Sequence, residues 1–426
     1  MGSHYTFRNS VAKVVGVEDL SPRRRWIALL ALALGGVAIG LTEFVAMGLL
    51  PEIARGLLPG EYAASSSDAV AKAGWMITAY ALGVVVGAPS IAALTARVPR
   101  KKLVLSLLIL FVLGTFGSAV APTFGLVLVA RFVAALPHGA YFGAAGLLAA
   151  RLMGPGNEAR GFSAVLSGLT VANLAGVPLI TRLGQATSWR AAYLVVGGVF
   201  VLTLLAVALT VPEVRAAEGG SPRAELAALR RPQIWLVAAT GAIGFAGFFA
   251  VDSYIAPVTT DVTGLSAGVV PWVLVAVGLG MTVGNALGGT FADRNLHRAM
   301  LIGFTAVIAS AVFFAVTAST TIGLFLGAFL IGAASLFLGP TLQARLITVA
   351  PGAQLMGAAL SQSAMNVANS MGAALGGLGI AWGFGYLSPA WIGIALAVVG
   401  LALAATSFAT ERTARRSPAE PVPALR

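Results

Sequence analysis

The apolar positions of this chain fall in long unbroken runs, without the alternation of half-buried strands or the one-sided stripe of a soluble helix. A helix that crosses a bilayer needs about 20 mainly apolar residues. The sequence offers twelve such runs, at 26–50, 70–95, 103–121, 124–149, 161–183, 191–211, 233–257, 268–292, 299–318, 321–346, 355–384 and 388–409. Their continuity argues against a membrane β-barrel, whose strands alternate apolar and polar positions. The joins at Ala121-Pro122-Thr123 and around Ser319-Thr320 leave room only for tight antiparallel helical hairpins. The expected fold class is therefore an all-α membrane protein of twelve transmembrane helices.

The polar connections orient it. With the N-terminus in the cytoplasm, 22 of the 27 Lys and Arg residues fall on the inside and Arg55, Lys72, Arg182 and Arg190 on the outside, with Arg131 inside a span. That bias predicts both termini cytoplasmic. Residues 212–232 (PEVRAAEGGSPRAELAALRRP) form the longest polar stretch after the N-terminus and read as a linker, with a short amphipathic helix expected at 222–231. The division is then a 1–25 tail, a six-helix half at 26–211, the linker, a second six-helix half at 233–409 and a 410–426 tail.

Composition agrees. Of the 426 residues 58% are hydrophobic, and only 10% are charged, against about 25% in soluble domains, so lipid must solvate most of the surface. The absence of Cys excludes disulfides and thiolate metal sites. His4, His138 and His297 do not stand at zinc-like spacing, so neither a metal nor another cofactor is expected. The net charge of +12 would suit a nucleic acid, but the basic residues sit in loop clusters and no nucleic-acid partner is expected. No nucleophile–base pair or paired catalytic carboxylates point to an enzyme.

The two halves repeat. An offset of 197 aligns Trp75 with Trp272, Gly83 with Gly280, Gly87 with Gly284 and Arg97 with Arg294. The loop GTFADRNLHR, from Gly289 through Asp293 and Arg294 to Arg298, resembles the G-x-x-x-D-R-x-G-R-R signature of the major facilitator superfamily. Its first-half counterpart, AALTARVPRK, keeps Arg97, Arg100 and Lys101 but has Ala96 where the Asp belongs. Further matches are Leu41-Thr42-Glu43-Phe44, Arg131 followed by Leu136-Pro137-His138-Gly139, Gly168 to Asn173 with Gly176-Val177-Pro178, and Trp189-Arg190. Over about 25–410 the chain resembles the twelve-span drug:proton antiporter branch, nearest bacterial arabinose-efflux and chloramphenicol-efflux proteins. The resemblance implies two pseudo-symmetric halves, a monomer in a bacterial inner membrane, and Gly289, Asp293, Arg294, Arg298, Arg97, Arg100 and Lys101 as a gating latch. Gly176 and Pro178 occupy the place of the antiporter signature, with Val177 between them where the pattern has none. Close helix packing is the other role open to them.

Glu43 lies within a span, where a charged side chain costs roughly 2.5–3.5 kcal/mol, so a place on the interior cavity and a role as proton carrier are expected. Snorkelling to the outer interface is the alternative. Asp252 reads as a second cavity acid or an acid of the outer mouth. Arg131 matches the span-4 Arg that the family links to proton coupling, and it needs a partner, either Glu43 or a backbone carbonyl. His138 is a proton relay or a packed core histidine. Tyr80, Tyr141, Asn173, Tyr254, Asn285, Gln362 and Asn366 are the candidate cargo contacts, or helix–helix glue. The expectation is a proton-coupled exporter of small amphipathic compounds, including chloramphenicol-like antibiotics, working by alternating access. Efflux of a sugar or metabolite on the same fold is the alternative, and a non-transporting membrane sensor a remote one.

Overall fold

The computed structural model describes residues 21–95, 98–154, 158–213, 229–350 and 354–416. The linker expected at 212–232, with its short helix, and both tails therefore lie largely outside the described residues. The described residues form helices and short joins. The first half contains α1 (Pro22–Gly48), α2 (Leu50–Leu57), α3 (Pro59–Ala64), α4 (Ser66–Ala73), α5 (Trp75–Leu94), α6 (Arg100–Val120), α7 (Phe124–Ala135), α8 (His138–Met153), α9 (Glu158–Val171), α10 (Val177–Ala186) and α11 (Trp189–Thr210). The second contains α12 (Pro232–Gly244), α13 (Ala246–Asp252), α14 (Ile255–Pro257), α15 (Val270–Arg294), α16 (Leu296–Thr317), α17 (Thr321–Val349), α18 (Gln354–Gly379) and α19 (Ser388–Arg416).

Eleven of these segments, several built from two consecutive helices, are long and apolar enough to cross a bilayer. Helix α18 is 26 residues long but falls outside that set, because Ser361, Gln362, Ser363, Asn366, Asn369 and Ser370 interrupt its apolar sequence. The bundle has a terminal end, where α1 begins, and a far end opposite. Ser21, Thr123, Ser188, Asn295 and Thr320 cap helix N-termini by accepting backbone N–H bonds, which satisfies donors that lipid cannot.

Several expected single spans are broken, each for a local reason. Pro137 removes an N–H and crowds the carbonyl four residues back, so the expected 124–149 span divides into α7 and α8. Pro178 does the same after Asn173, and a five-residue π turn, Ala172–Gly176, absorbs the mismatch between α9 and α10. The expected 233–257 span breaks at Phe245 and again after Asp252. Between the first two spans, α2 buries Leu50, Ile53 and Ala54 on one face, an amphipathic turn too short to register as an apolar run.

The 197-residue repeat carries into the packing. A Cβ on Gly83 would strike the carbonyl oxygen of Phe132, and one on Gly280 that of Phe329. Gly87 stands likewise against Leu136 O and Gly284 against Ala333 O. The contacted residues are themselves 197 apart, so α5 meets α7 and α15 meets α17 through the same backbone-to-backbone approach. Small residues at these crossings gain van der Waals contact where burial from water supplies no drive.

Candidate functional site: a buried acid–amide–guanidinium cluster between the halves

Helix α1 carries Glu43 in its far third, and α18 carries Asn369 at the matching depth. The Asn369 amide donates to Glu43 Oε1 at 3.2 Å, across the junction of the halves. Glu43 is only 7% exposed. It therefore faces the interior, and the outward alternative is not what the structure contains.

Arg131 of α7 is completely buried. Its Nη1 donates to the Thr42 carbonyl at 2.6 Å and lies 3.2 Å from the Thr42 hydroxyl. Its guanidinium carbon stands 4.3 Å from the Tyr80 ring centroid and 5.5 Å from that of Tyr193. Of the two partners considered from sequence, the backbone carbonyl is the one hydrogen-bonded, in the residue next to Glu43. Dipoles and ring faces thus solvate this cation. Nη2 has no hydrogen-bond partner. The Tyr80 hydroxyl is hydrogen-bonded to His138 Nδ1 at 3.2 Å, and His138 is buried. The chain Arg131–Tyr80–His138 is continuous.

Asp252, 4% exposed, ends α13, and its Oδ1 has no hydrogen-bond partner. It opens on a small cavity of about 10 Å³, room for about one water. Phe44 and Asn173 line it from the first half, and Leu274, Gly278 and Met281 from the second. Asn173 reaches the cavity from the π turn, and a Cβ on Gly278 would stand 2.6 Å from the Asn173 carbonyl.

The other expected cargo contacts are dispersed. The Tyr141 hydroxyl donates to Leu32 O and that of Tyr254 to Ala373 O, each at 2.8 Å, so both buried rings tie helices together in this state. The Asn366 amide donates to Gln362 O at 3.0 Å along α18. Asn285 is exposed and Gln362 half-buried. Gly176 packs on Leu41, and Pro178 is buried. Hydrogen bonds between the halves, such as Thr78 to Ser370 O (3.4 Å) and Gln185 to Ala267 O (2.9 Å), lie toward the far end, where Tyr254 also wedges against Gly74 and Gly377.

The family model for the Major Facilitator Superfamily matches residues 32–354. The chain belongs to the major facilitator superfamily. It is 35% identical over 361 residues to the inner membrane transport protein YdhP of Escherichia coli K12, covering 84% of this chain and 90% of that protein. It is 32% identical over 382 residues to a chloramphenicol resistance protein of Streptomyces lividans, covering 89% and 95%. A bacterial homologue of the lysosomal transporter Spinster, solved inward-facing and unoccupied, superposes with a TM-score of 0.72 at 16% identity, covering 94% of this chain and 100% of that one. This is a multi-pass membrane transporter fold.

The expected latch residues of this facilitator spread along its terminal end. Arg97 lies outside the described residues. Lys101 Nζ donates to Ala208 O at 3.0 Å, tying α6 to α11, with Arg100 beside it at the start of α6. Asp293, Arg294 and Arg298 are exposed, and Gly289 faces open space. The second-half ion pairs at this end run elsewhere. Buried Arg345 Nη2 lies 2.7 Å from Glu411 Oε2 and donates to the Ser407 hydroxyl at 3.3 Å, while His297 Nε2 stands 3.9 Å from the same carboxylate oxygen.

Sequence reasoning counted Arg345 only as an inside charge at the end of the span expected at 321–346, and passed over Asn369 and Tyr193. Asn369 had a signal: Gln362, Asn366 and Asn369 stand at i, i+4 and i+7, one polar face of a helix. Tyr193 had none, because an aromatic in an apolar run reads as core.

Proposed function

We propose that this facilitator is a proton-coupled exporter of small amphipathic compounds, with twelve spans, α18 among them, and both termini in the cytoplasm. One observation carries the reading. Two buried carboxyls lie where the halves join, Glu43 bonded to Asn369 and Asp252 on a cavity lined from both halves, and neither has a basic partner in hydrogen-bond contact. A carboxyl so placed is stable neutral and costly charged, which suits a group that loads and unloads a proton with each change of access. Tyr80 and Arg131 hold the floor of the site, and His138 connects to it through the Tyr80 hydroxyl. The far-end contacts fit a state closed to the outside. Rocking of the halves about the Glu43–Asn369 and Asp252 junctions would open it.

The polar α18 fits a lining helix rather than a lipid-facing one, because its Gln362, Asn366 and Asn369 face needs water, cargo or protein. The spans are poor in the hydrogen-bonding groups that a carbohydrate demands. The resemblance to the chloramphenicol resistance protein favours an amphipathic antibiotic as first candidate. The driving force is adequate. One charge crossing 100 mV yields about 2.3 kcal/mol, and a pH unit adds about 1.4 kcal/mol. Together they sustain a cargo gradient of roughly several hundredfold at one proton per cargo.

The test is proton movement in everted vesicles energised to an acidic interior, challenged with chloramphenicol-like compounds. Cargo-dependent collapse of the gradient, lost in Glu43→Gln, supports the reading. Collapse that survives Glu43→Gln but not Asp252→Asn moves the proton to the second acid. No collapse with any amphipathic compound overturns the exporter assignment.

A further inference from the structure

A groove of about 540 Å³ lies on the outer face of the first half, away from the junction site. Its walls are Ile27, Leu30, Leu34 and Val37 of α1, Val171 of α9 and Leu202 of α11. Its floor is shut. A Cβ on Gly168 would strike the Ala33 carbonyl, and one on Gly36 would stand 2.5 Å from Val165 O, so α1 and α9 touch backbone to backbone and no passage leads inward. The groove is therefore a surface site and not a cargo portal.

Two features specify an occupant. The first is length. Ile27 to Val37 spans ten residues of helix, about 15 Å at 1.5 Å per residue, half of the roughly 30 Å hydrocarbon core. The groove thus has the depth of one leaflet. The second is charge at one end only. Arg23 and Arg24 precede Ile27 by four and three residues, so they continue the same helical stripe beyond the apolar walls. Both are exposed, and neighbouring Trp26 is 57% exposed, as befits an interfacial anchor. From the other wall, Ala206 lines the groove. Glu213 beyond the end of α11 is outnumbered by Arg23 and Arg24.

We infer that this groove binds one anionic phospholipid, its acyl chain between α1, α9 and α11 and its phosphate on Arg23 and Arg24. Each Arg near an anionic headgroup is worth about 1 kcal/mol, or roughly fivefold in affinity. The bound chain fills the space between three helices, two of which, α1 and α9, meet beneath it at Gly36 and Gly168, so the lipid acts as a fitted structural element. The site is independent of which cargo the protein carries.

The test uses the full chain purified in detergent, with native mass spectrometry counting retained phosphatidylglycerol and phosphatidylethanolamine of matched acyl chains. The expected result is preferential retention of one phosphatidylglycerol. The Arg23→Gln/Arg24→Gln double variant should weaken that retention by roughly 25-fold. Leu30→Trp, which fills the groove at an exposed position and leaves both charges, should abolish it. Equal retention of the two lipids, phosphatidylglycerol retention unchanged in either variant, or displacement by soluble glycerol 3-phosphate at equal concentration would each overturn the inference. The melting temperature of each variant checks folding.

Discussion

Asn369 and Glu43 are joined by one hydrogen bond, 3.2 Å long, between helices 326 residues apart in sequence. It bridges the halves at the depth where both carboxyls are buried. A hydrogen bond to a neutral carboxyl contributes about 0.5–1.5 kcal/mol. Asn369→Leu keeps the branched shape, with a larger side chain, and removes the donor. It should loosen the far-end closure and raise the labelling rate of a cysteine placed at Met281 by about two- to tenfold. The native chain has no cysteine, so the probe reports alone. An unchanged rate would mean that the closure rests on packing.

Arg131 tests a different property. Its contacts are the carbonyls of Thr42 and Met76, a hydroxyl and two ring faces. A lysine retains the charge but loses the planar fork and the stacking. Arg131→Lys should therefore be less stable than Arg131→Met, by about 1–2 kcal/mol, with both inactive in proton-coupled transport. Thermal unfolding of the two variants in the same detergent decides the order.

The glycine crossings give a paired prediction. Gly284 abuts the Ala333 carbonyl, whereas Gly289, only five residues on, faces open space. Gly284→Ala should cost about 1–3 kcal/mol through overpacking. Gly289→Ala should stay within about 0.5 kcal/mol. Equal effects on melting temperature would refute the close approach of α15 and α17.

Glu52, on α2 outside the spans, supplies the pH dependence. Burial pushes its carboxyl above the ordinary 4.5, outweighing its own backbone N–H and Arg55. Its Oε2 has no hydrogen-bond partner. A raised folded-state value means a contribution to stability that is present below pH 4.5 and lost as pH rises through the raised value. At neutral pH the carboxylate is thus a liability. Glu52→Gln should raise the melting temperature at pH 7 and leave it unchanged at pH 4, read from melting curves at the two values.

Much of this arrangement was legible in the sequence because lipid imposes a single rule, long apolar helices with satisfied backbones. The apolar runs marked the helices, and the offset of 197 that pairs Gly83 with Gly280 returned as matched contacts on Phe132 and Phe329. Glu43, Asp252 and Arg131 stood out as ionisable residues amid apolar neighbours, and all three are buried. Periodicity could not supply partners. Hydropathy does not encode which carbonyl meets Arg131, or that Asn369 instead of Arg131 holds Glu43, because those depend on how helices distant in sequence cross. The breaks at Pro137 and Pro178 were visible as prolines, but their resolution into a split helix and a π turn was not. Arg345 was counted with the inside charges at the end of the span expected at 321–346, and hydropathy could not show that α17 continues to Val349 and buries it against Glu411.

The setting of Arg131 has a further consequence for the junction site. Its hydrogen bonds run only to uncharged groups and a guanidinium stays protonated at any working pH, so its positive charge is a constant background and not a switch. The variable part of the local charge resides in Glu43 and Asp252 alone. In the proposed cycle the summed charge of the three groups runs from −1 with both acids ionised to +1 with both protonated. An interior whose sign inverts within one turnover can attract a weakly cationic molecule in one access state and repel it in the next, so the same protons that drive the cycle would also time the release.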